Sequence, residues 1–223
     1  MGTVEEIENI KSIRIYASPP IIKNLGQQDY QSVWQSMQDF TKSRDENTPD
    51  ELWVVEHPAV YTQGRNGKEE HILNATSIPI VKTDRGGQVT YHGPGQLIIY
   101  TLINLKRRKL GVRRLVTLLE NSIIELLADY KIKARNDPKA PGVYVDNKKV
   151  AALGLRVSRG CTTHGLSLNI DMDLSPFQHI NPCGYKGLEV TQCKDLGIDS
   201  DLQTLANSLS IKLSTAINLD PTH

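Results

Sequence analysis

The sequence has no apolar stretch long enough to cross a bilayer as a helix. Its longest apolar run, Leu97 to Leu105, is broken by Tyr100, Thr101 and Asn104 and falls well short of the roughly 20 residues a spanning helix needs. No charge of one sign dominates either. With 26 Lys and Arg against 25 Asp and Glu, no global field draws the chain to nucleic acid or to a membrane surface, so docking by charge has to be local. The N-terminal segment carries Glu5, Glu6 and Glu8 where a signal or transit peptide is basic, and Glu6 stands where N-myristoylation requires Ser or Thr. A cytoplasmic location is expected. Cysteine is scarce: Cys161, Cys183 and Cys193 are an odd number without a secretion signal, which argues against a disulfide framework and leaves at least one thiol free. There is no internal repeat, low-complexity tract or Pro/Gly/Ser-rich linker, so the 223 residues are read as one domain over 1–223.

What is present is a mixture of helical and strand patterning. Ile22, Leu25, Val33, Met37 and Phe40 recur mostly at three- and four-residue steps after Pro19 and Pro20, predicting a helix from about Ile21 to Ser43. Val116, Leu119, Ile123, Leu126 and Leu127 predict a second over Arg113 to Tyr130, and Ser200 with Gln203 forms a capping box that predicts a third. Leu52 to Glu56 and Leu97 to Leu102 read as strands, the second central. Gly142 to Val145 and Lys149 to Gly154 flank Asp146-Asn147, residue types that tolerate a tight turn, and so predict a β-hairpin; Ser167 to Ile170 follows as a further strand. The fold class is α/β or α+β, a mixed sheet with surrounding helices.

Three segments concentrate candidate chemistry. Arg85 to Gln96 holds four glycines ahead of a strand; it reads as two tight turns or as a substrate loop anchored by Arg85 and His92, glycine allowing a ligand close to the backbone. It is not a P-loop, and Gly64-Arg65-Asn66-Gly67-Lys68-Glu69 resembles one only superficially. Cys183 lies between Pro182 and Gly184, a setting that favours an exposed thiol, whereas Cys161 and Cys193 read as small core residues. Cys161, His164, His179 and Cys183 also have the composition of a structural zinc site. Lys148 reads as a solvated turn charge. Lys149, ahead of Val150-Ala151-Ala152-Leu153-Gly154, is placed against a partly dry site, where an ammonium lowers a thiol pKa or a desolvated amine acts as a base.

RGGQVTYHGPGQ, KKVAALGLRVSRGCTTHGLSLNI and NPCGYKGLEVTQ, in that order and spacing, resemble the lipoyl(octanoyl) transferase family, the octanoyl-[acyl carrier protein]:protein N-octanoyltransferases. The resemblance implies Cys183 and Lys149 as the catalytic pair. It implies substrate binding by Arg85, Gly86, Gly87, Gln88, Val89, Thr90, Tyr91 and His92, by Ala152, Leu153 and Gly154, and by Gly165, Leu166 and Ser167. It implies the fold of biotin and lipoate protein ligases, no cofactor and no metal. The implied partners are octanoyl-acyl carrier protein as donor and, as acceptors, lipoyl domains of 2-oxoacid dehydrogenases and the glycine cleavage H protein, with no nucleic acid and no membrane. Backbone amides near Cys183 or at Gly86-Gly87 are candidate oxyanion donors. An ATP-dependent lipoate or biotin ligase and a carrier-binding module are the competing readings. Because acyl carriers are acidic, Lys106-Arg107-Arg108-Lys109 with Arg113-Arg114 is read as a docking patch or else as a solvated loop and helix start.

Overall fold

A computed structural model describes residues 18–74, 77–184 and 187–219. Its main element is a seven-stranded mixed sheet. In chain order the elements are β1 (Ile21–Gln27), α1 (Tyr30–Ser43), β2 (Glu51–Glu56), β3 (Val60–Gln63), β4 (Ile80–Lys82), β5 (Val89–His92), β6 (Gln96–Leu102), α2 (Val112–Asp129), β7 (Arg135–Asn136), β8 (Gly142–Val145), β9 (Lys148–Ser158), β10 (Cys161–Asn169) and α3 (Leu202–Asn218). The large sheet runs β1-β2-β6-β10-β9-β8-β7, and β4-β3-β5 form a second, three-stranded sheet. Only β1 and β2 are parallel neighbours in the large sheet. Among the described residues no helix is long and apolar enough to cross a membrane.

Strand alternation distributes the core between two faces. Leu52 and Val54 of β2 and Leu97 and Ile99 of β6 pack with Leu119, Ile123, Leu205 and Leu209 of α2 and α3. Their alternates Trp53, Val55, Ile98, Tyr100 and Leu102 pack with Val33 and Met37 of α1. Strand β6 is therefore buried along its whole length, as a strand covered on both faces must be. The hairpin turn falls on Asp146 and Asn147, with φ of 47° and 66°, the positive values a two-residue turn of this hand requires.

Two helix boundaries differ from the expectation. Residues 21–27 form β1, not the first turns of α1. Their backbone groups are paired with β2, Gly26 has a φ of 64°, and the helix starts only after Asp29, whose carboxylate accepts from the Ser32 amide at 2.9 Å. The third helix is capped by Asp201 rather than Ser200, its carboxylate accepting from the Thr204 amide at 2.8 Å.

Two residues of the basic cluster are also engaged within the fold. Asp50, 2% exposed, accepts from Arg44 Nη2 and Arg107 Nη2 at 2.7 Å each, from Arg108 Nε at 2.5 Å and from the Asn104 amide at 2.7 Å. Arg108 is itself buried. A carboxylate out of water needs such partners, so Arg107 and Arg108 join the β2 entrance to the loop after β6 and are not a free docking patch. Arg108→Met is expected to destabilise the protein by about 3 kcal/mol, the order seen when one member of a buried charge pair is removed. At this chain length that lowers Tm by about 6–12 °C. A melting curve indistinguishable from native would show that the Asp50 cluster contributes nothing.

Candidate active site

Lys149 is the second residue of β9 and is 3% exposed. Its Nζ donates to the Pro141 carbonyl at 3.2 Å and lies 5.1 Å from the centroid of the Tyr144 ring, a cation–π distance. Its backbone is stitched to a later segment: the Lys149 amide donates to Glu189 O and the Thr191 amide to Lys149 O, both at 2.9 Å. Lys148 faces outward, its ammonium 3.1 Å from an exposed Glu189 carboxylate, as a solvated turn charge should.

The stitching explains how two distant motifs approach one another. Cys183 lies in a short 3₁₀ turn, Pro182–Gly184. Before it, Ile180 bridges Ile72 and the Asn181 amide donates to His71 O at 2.8 Å. After it, Glu189 to Thr191 run beside Lys149, and the Cys193 amide donates to Asn169 O at the end of β10. Gly184 closes the turn with a φ of 80° and an amide that donates to Asn181 O at 2.9 Å. That bond, and the Gly86 amide's bond to Leu155 O at 2.9 Å, engage two of the amides expected as oxyanion donors.

A small inner cavity is lined by Lys149 and Pro182 together with Gln96, Asn169, Phe177 and Val190. Thr90, Ala152 and Ser167 line it too, and the same three line a larger cleft, partly open to solvent. The larger cleft has an apolar wall from Val89, Ile98, Leu153 and Leu166. Of the expected substrate residues, Arg85, Gly87, Gln88, Val89, Thr90, His92, Ala152, Leu153, Gly154, Gly165, Leu166 and Ser167 line this cleft. Gly86 and Tyr91 do not. Gly86 faces a separate depression with Arg65 and Arg156, and Tyr91 packs with Tyr61, Met172 and Phe177. Arg85 also holds the loop it belongs to. It donates to Thr62 Oγ1 at 3.1 Å, Thr62 O at 2.6 Å, Gly86 O at 2.9 Å and Gln88 O at 2.8 Å, so its guanidinium builds the glycine loop. Gly165 is required by packing, since a Cβ there would collide with the Ile99 carbonyl of β6.

Tyr30, His92, Tyr100 and His164 also line the cleft, of which only His92 is expected from the sequence as a substrate residue. His92 Nδ1 lies 2.7 Å from Gln96 Oε1, and Tyr100 Oη lies 2.7 Å from His57 Nε2. His164 Nε2 lies 2.8 Å from Asp84 Oδ1, and its backbone has a φ of 60° within β10, a strained value for a non-glycine residue. Burial holds His57, His92 and His164 below the ordinary histidine value, His92 at about 3. Their unfolded counterparts titrate near 6.5, so below that pH the unfolded chain binds more protons and stability falls toward the folded pKa. Between pH 7 and pH 5 His92 alone is expected to remove about 2 kcal/mol. Tm measured at both pH values should fall, and fall less in His92→Gln; a Tm equal at the two would contradict these neutral buried imidazoles.

The remaining cysteines are core residues. Cys161 and Cys193 are buried and free, and burial pushes the Cys193 thiol up to about 12. The two histidines of the zinc alternative face different partners, His164 toward Asp84 and His179 toward Asn74. Among the described residues no three His, Cys, Asp or Glu side chains gather where they would hold a metal ion.

Comparison with known proteins gives this geometry a context. The family profile of the lipoyl protein ligase A/B catalytic domain matches residues 29–214. An octanoyltransferase of Shewanella woodyi is 64% identical over 176 residues, covering 79% of this chain and 80% of that protein. Among solved structures, lipoate-protein ligase A bound with ATP superposes with a TM-score of 0.73 at 12% identity, covering 89% of this chain and 85% of the other. The biotin protein ligase of Aquifex aeolicus, with biotin and ATP, gives 0.57 at 16% identity, with 88% and 70% covered. At those identities the two structures share the fold with this chain, as expected from its sequence.

Proposed function

The chain belongs to the lipoyl protein ligase A/B catalytic-domain family and, within it, to the octanoyltransferases, and from that premise we propose a two-stage transfer through Cys183. The Cys183 thiolate attacks the carbonyl of octanoyl-acyl carrier protein. The carbon–sulfur bond to the carrier's phosphopantetheine breaks, that sulfur leaves as a thiol carrying a proton given up by the Lys149 ammonium, and the octanoyl group is held as an enzyme thioester beside a now neutral Lys149 amine. The ε-amine of a lysine on a lipoyl domain then attacks, the Cys183 sulfur departs, and an amide forms. Lys149 favours the thiolate in the first stage and takes the amine's proton in the second. The acceptors are lipoyl domains of 2-oxoacid dehydrogenases and the glycine cleavage H protein, and the reaction is the first step of protein lipoylation from endogenous octanoyl groups, carried out in the cytoplasm.

The observation that carries this reading is the shared inner cavity: the buried Lys149 and Pro182, the chain neighbour of Cys183, line one space. That space adjoins an apolar-walled cleft through Thr90, Ala152 and Ser167. Burying an octanoyl chain there contributes on the order of 5 kcal/mol at about 0.8 kcal/mol per methylene. Part of that binding energy serves to position the thioester carbonyl.

Nucleotide dependence tests the reading against the ligases that share the fold. Octanoyl transfer from octanoyl-carrier to an apo-lipoyl domain is expected to proceed at an unchanged rate without ATP. Transfer that needs ATP and accepts free octanoate would make the chain a ligase.

A further inference from the structure

Helix α2 carries one buried carboxylate toward the sheet. Glu120 is 5% exposed, and in place of a cation it meets two amides: Asn136 Nδ2 donates to its Oε2 at 3.0 Å and the Gly142 amide to its Oε1 at 2.9 Å. Keeping an ionisable group out of water costs several kcal/mol unless it is well satisfied, so its partners matter. The Gly142 amide and the Pro141 carbonyl belong to the same peptide group. Among the described residues no peptide bond is cis, so this N–H and C=O point in opposite directions. One end of the peptide donates to Glu120 and the other accepts from Lys149 Nζ at 3.2 Å.

Gly142 makes this arrangement possible. Its φ is 145°, and a Cβ there would stand 3.0 Å from Lys149 Cε and 3.2 Å from Nζ. The ammonium lies against bare backbone, with the Tyr144 ring on another side. Tyr144 fixes the preceding corner through its hydroxyl, which donates to Ala140 O at 2.7 Å, and its ring also carries Arg135 at 5.4 Å. Lys148 is turned away and paired with Glu189.

We propose that Glu120 is a positioning residue for Lys149, acting through the Pro141–Gly142 peptide: the carboxylate orients and polarises that peptide, and its carbonyl fixes the ammonium in the cavity beside the Cys183 turn. Hydrogen bonds in series strengthen one another in a low-dielectric interior, so a carboxylate on the amide makes the opposite carbonyl a better acceptor. The proposal rests on Lys149 serving Cys183, as above.

The test is the pH dependence of Cys183 alkylation by iodoacetamide in a Cys161→Ala, Cys193→Ala background, read by intact mass. Lys149→Ala establishes the scale by raising the apparent thiol pKa. Glu120→Ala is expected to raise it by about one pH unit, which slows alkylation at neutral pH about tenfold. Glu120→Gln, which keeps an acceptor for the Gly142 amide but loses the charge, raises it by less than Glu120→Ala. Glu120→Ala added to Lys149→Ala produces no further rise. Glu120→Asp, one methylene short of the amide, lies between native and Glu120→Ala and carries the test if Glu120→Ala fails to fold in a thermal melt. If Lys149→Ala raises the pKa but the Glu120 variants do not, or if Glu120→Ala acts equally without Lys149, the relay is wrong and Glu120 supports only the fold. If Lys149→Ala itself leaves the profile unchanged, it is the role of Lys149 that fails, and the relay with it.

Discussion

Cys183→Ala is expected to reduce octanoyl transfer by about 10³-fold or more, the order of loss when a covalent nucleophile is removed from a site that otherwise keeps its binding groups. Without the thiol, the acceptor amine has to attack the carrier thioester directly. Carrier and acceptor, both proteins, would then have to meet at one cavity together, and the two-stage route avoids that encounter. The other thiols offer no substitute. Cys161 and Cys193 are buried, and the Cys193 thiol is held at about 12, so it has almost no thiolate at neutral pH. Their alanine variants should keep native turnover and lose only packing stability. The check is the rate at which octanoylated acceptor appears, followed by mass. Transfer by Cys183→Ala within tenfold of native would remove Cys183 from the mechanism.

Lys149→Ala is expected to slow overall octanoyl transfer to the acceptor by about 10²-fold. Thiolate supply accounts for only part of this, because a thiol of ordinary pKa is already a few per cent ionised at neutral pH, so full ionisation gains about thirtyfold. The rest is proton transfer, typically worth 10²- to 10⁴-fold where a positioned base is needed, and it falls on the second stage, when the acceptor amine must lose its proton. Lys148→Ala is the control. Its ammonium is an exposed partner of Glu189, a pairing worth little, and turnover should stay within about twofold of native. Quenched-flow intact mass separates the two stages. Equal effects from the two lysines would mean that they act as diffuse surface charge.

Much of the fold was legible because local rules and tertiary context agree. The aliphatic run at Leu97 became a strand buried on both faces, and Asp146-Asn147 took the positive φ values that a two-residue hairpin requires. The first helix shows where local rules run out. Residues 21–27 fit a helical period, but their state is decided by pairing with Glu51–Glu56, a partner that no window around Ile21 contains. Two residues of the basic cluster were misjudged for a related reason. Arg107 and Arg108 look like surface charge until Asp50, more than fifty residues earlier in the chain, is placed between them.

The candidate site divides in the same way. Its glycine loop, its Lys149 strand and its Pro-Cys-Gly turn each carry a compact signature. Tyr30, Tyr100 and His164, by contrast, enter the cleft singly from α1, β6 and β10, and the positive φ of His164 has no marker in residue type. Glu120 reads as one more charge on an amphipathic helix, and only the shared peptide at Pro141–Gly142 connects it to Lys149.

The central claim, an octanoyl group held on Cys183, is tested most directly by intact-mass spectrometry of the native protein with octanoyl-carrier and no acceptor. The account predicts an increase of one octanoyl group, released by hydroxylamine as a thioester is, lost when acceptor is added, present in Cys161→Ala and Cys193→Ala, and absent in Cys183→Ala. A native protein that stays unmodified under these conditions, yet transfers octanoyl at full rate once acceptor is supplied, would contradict it.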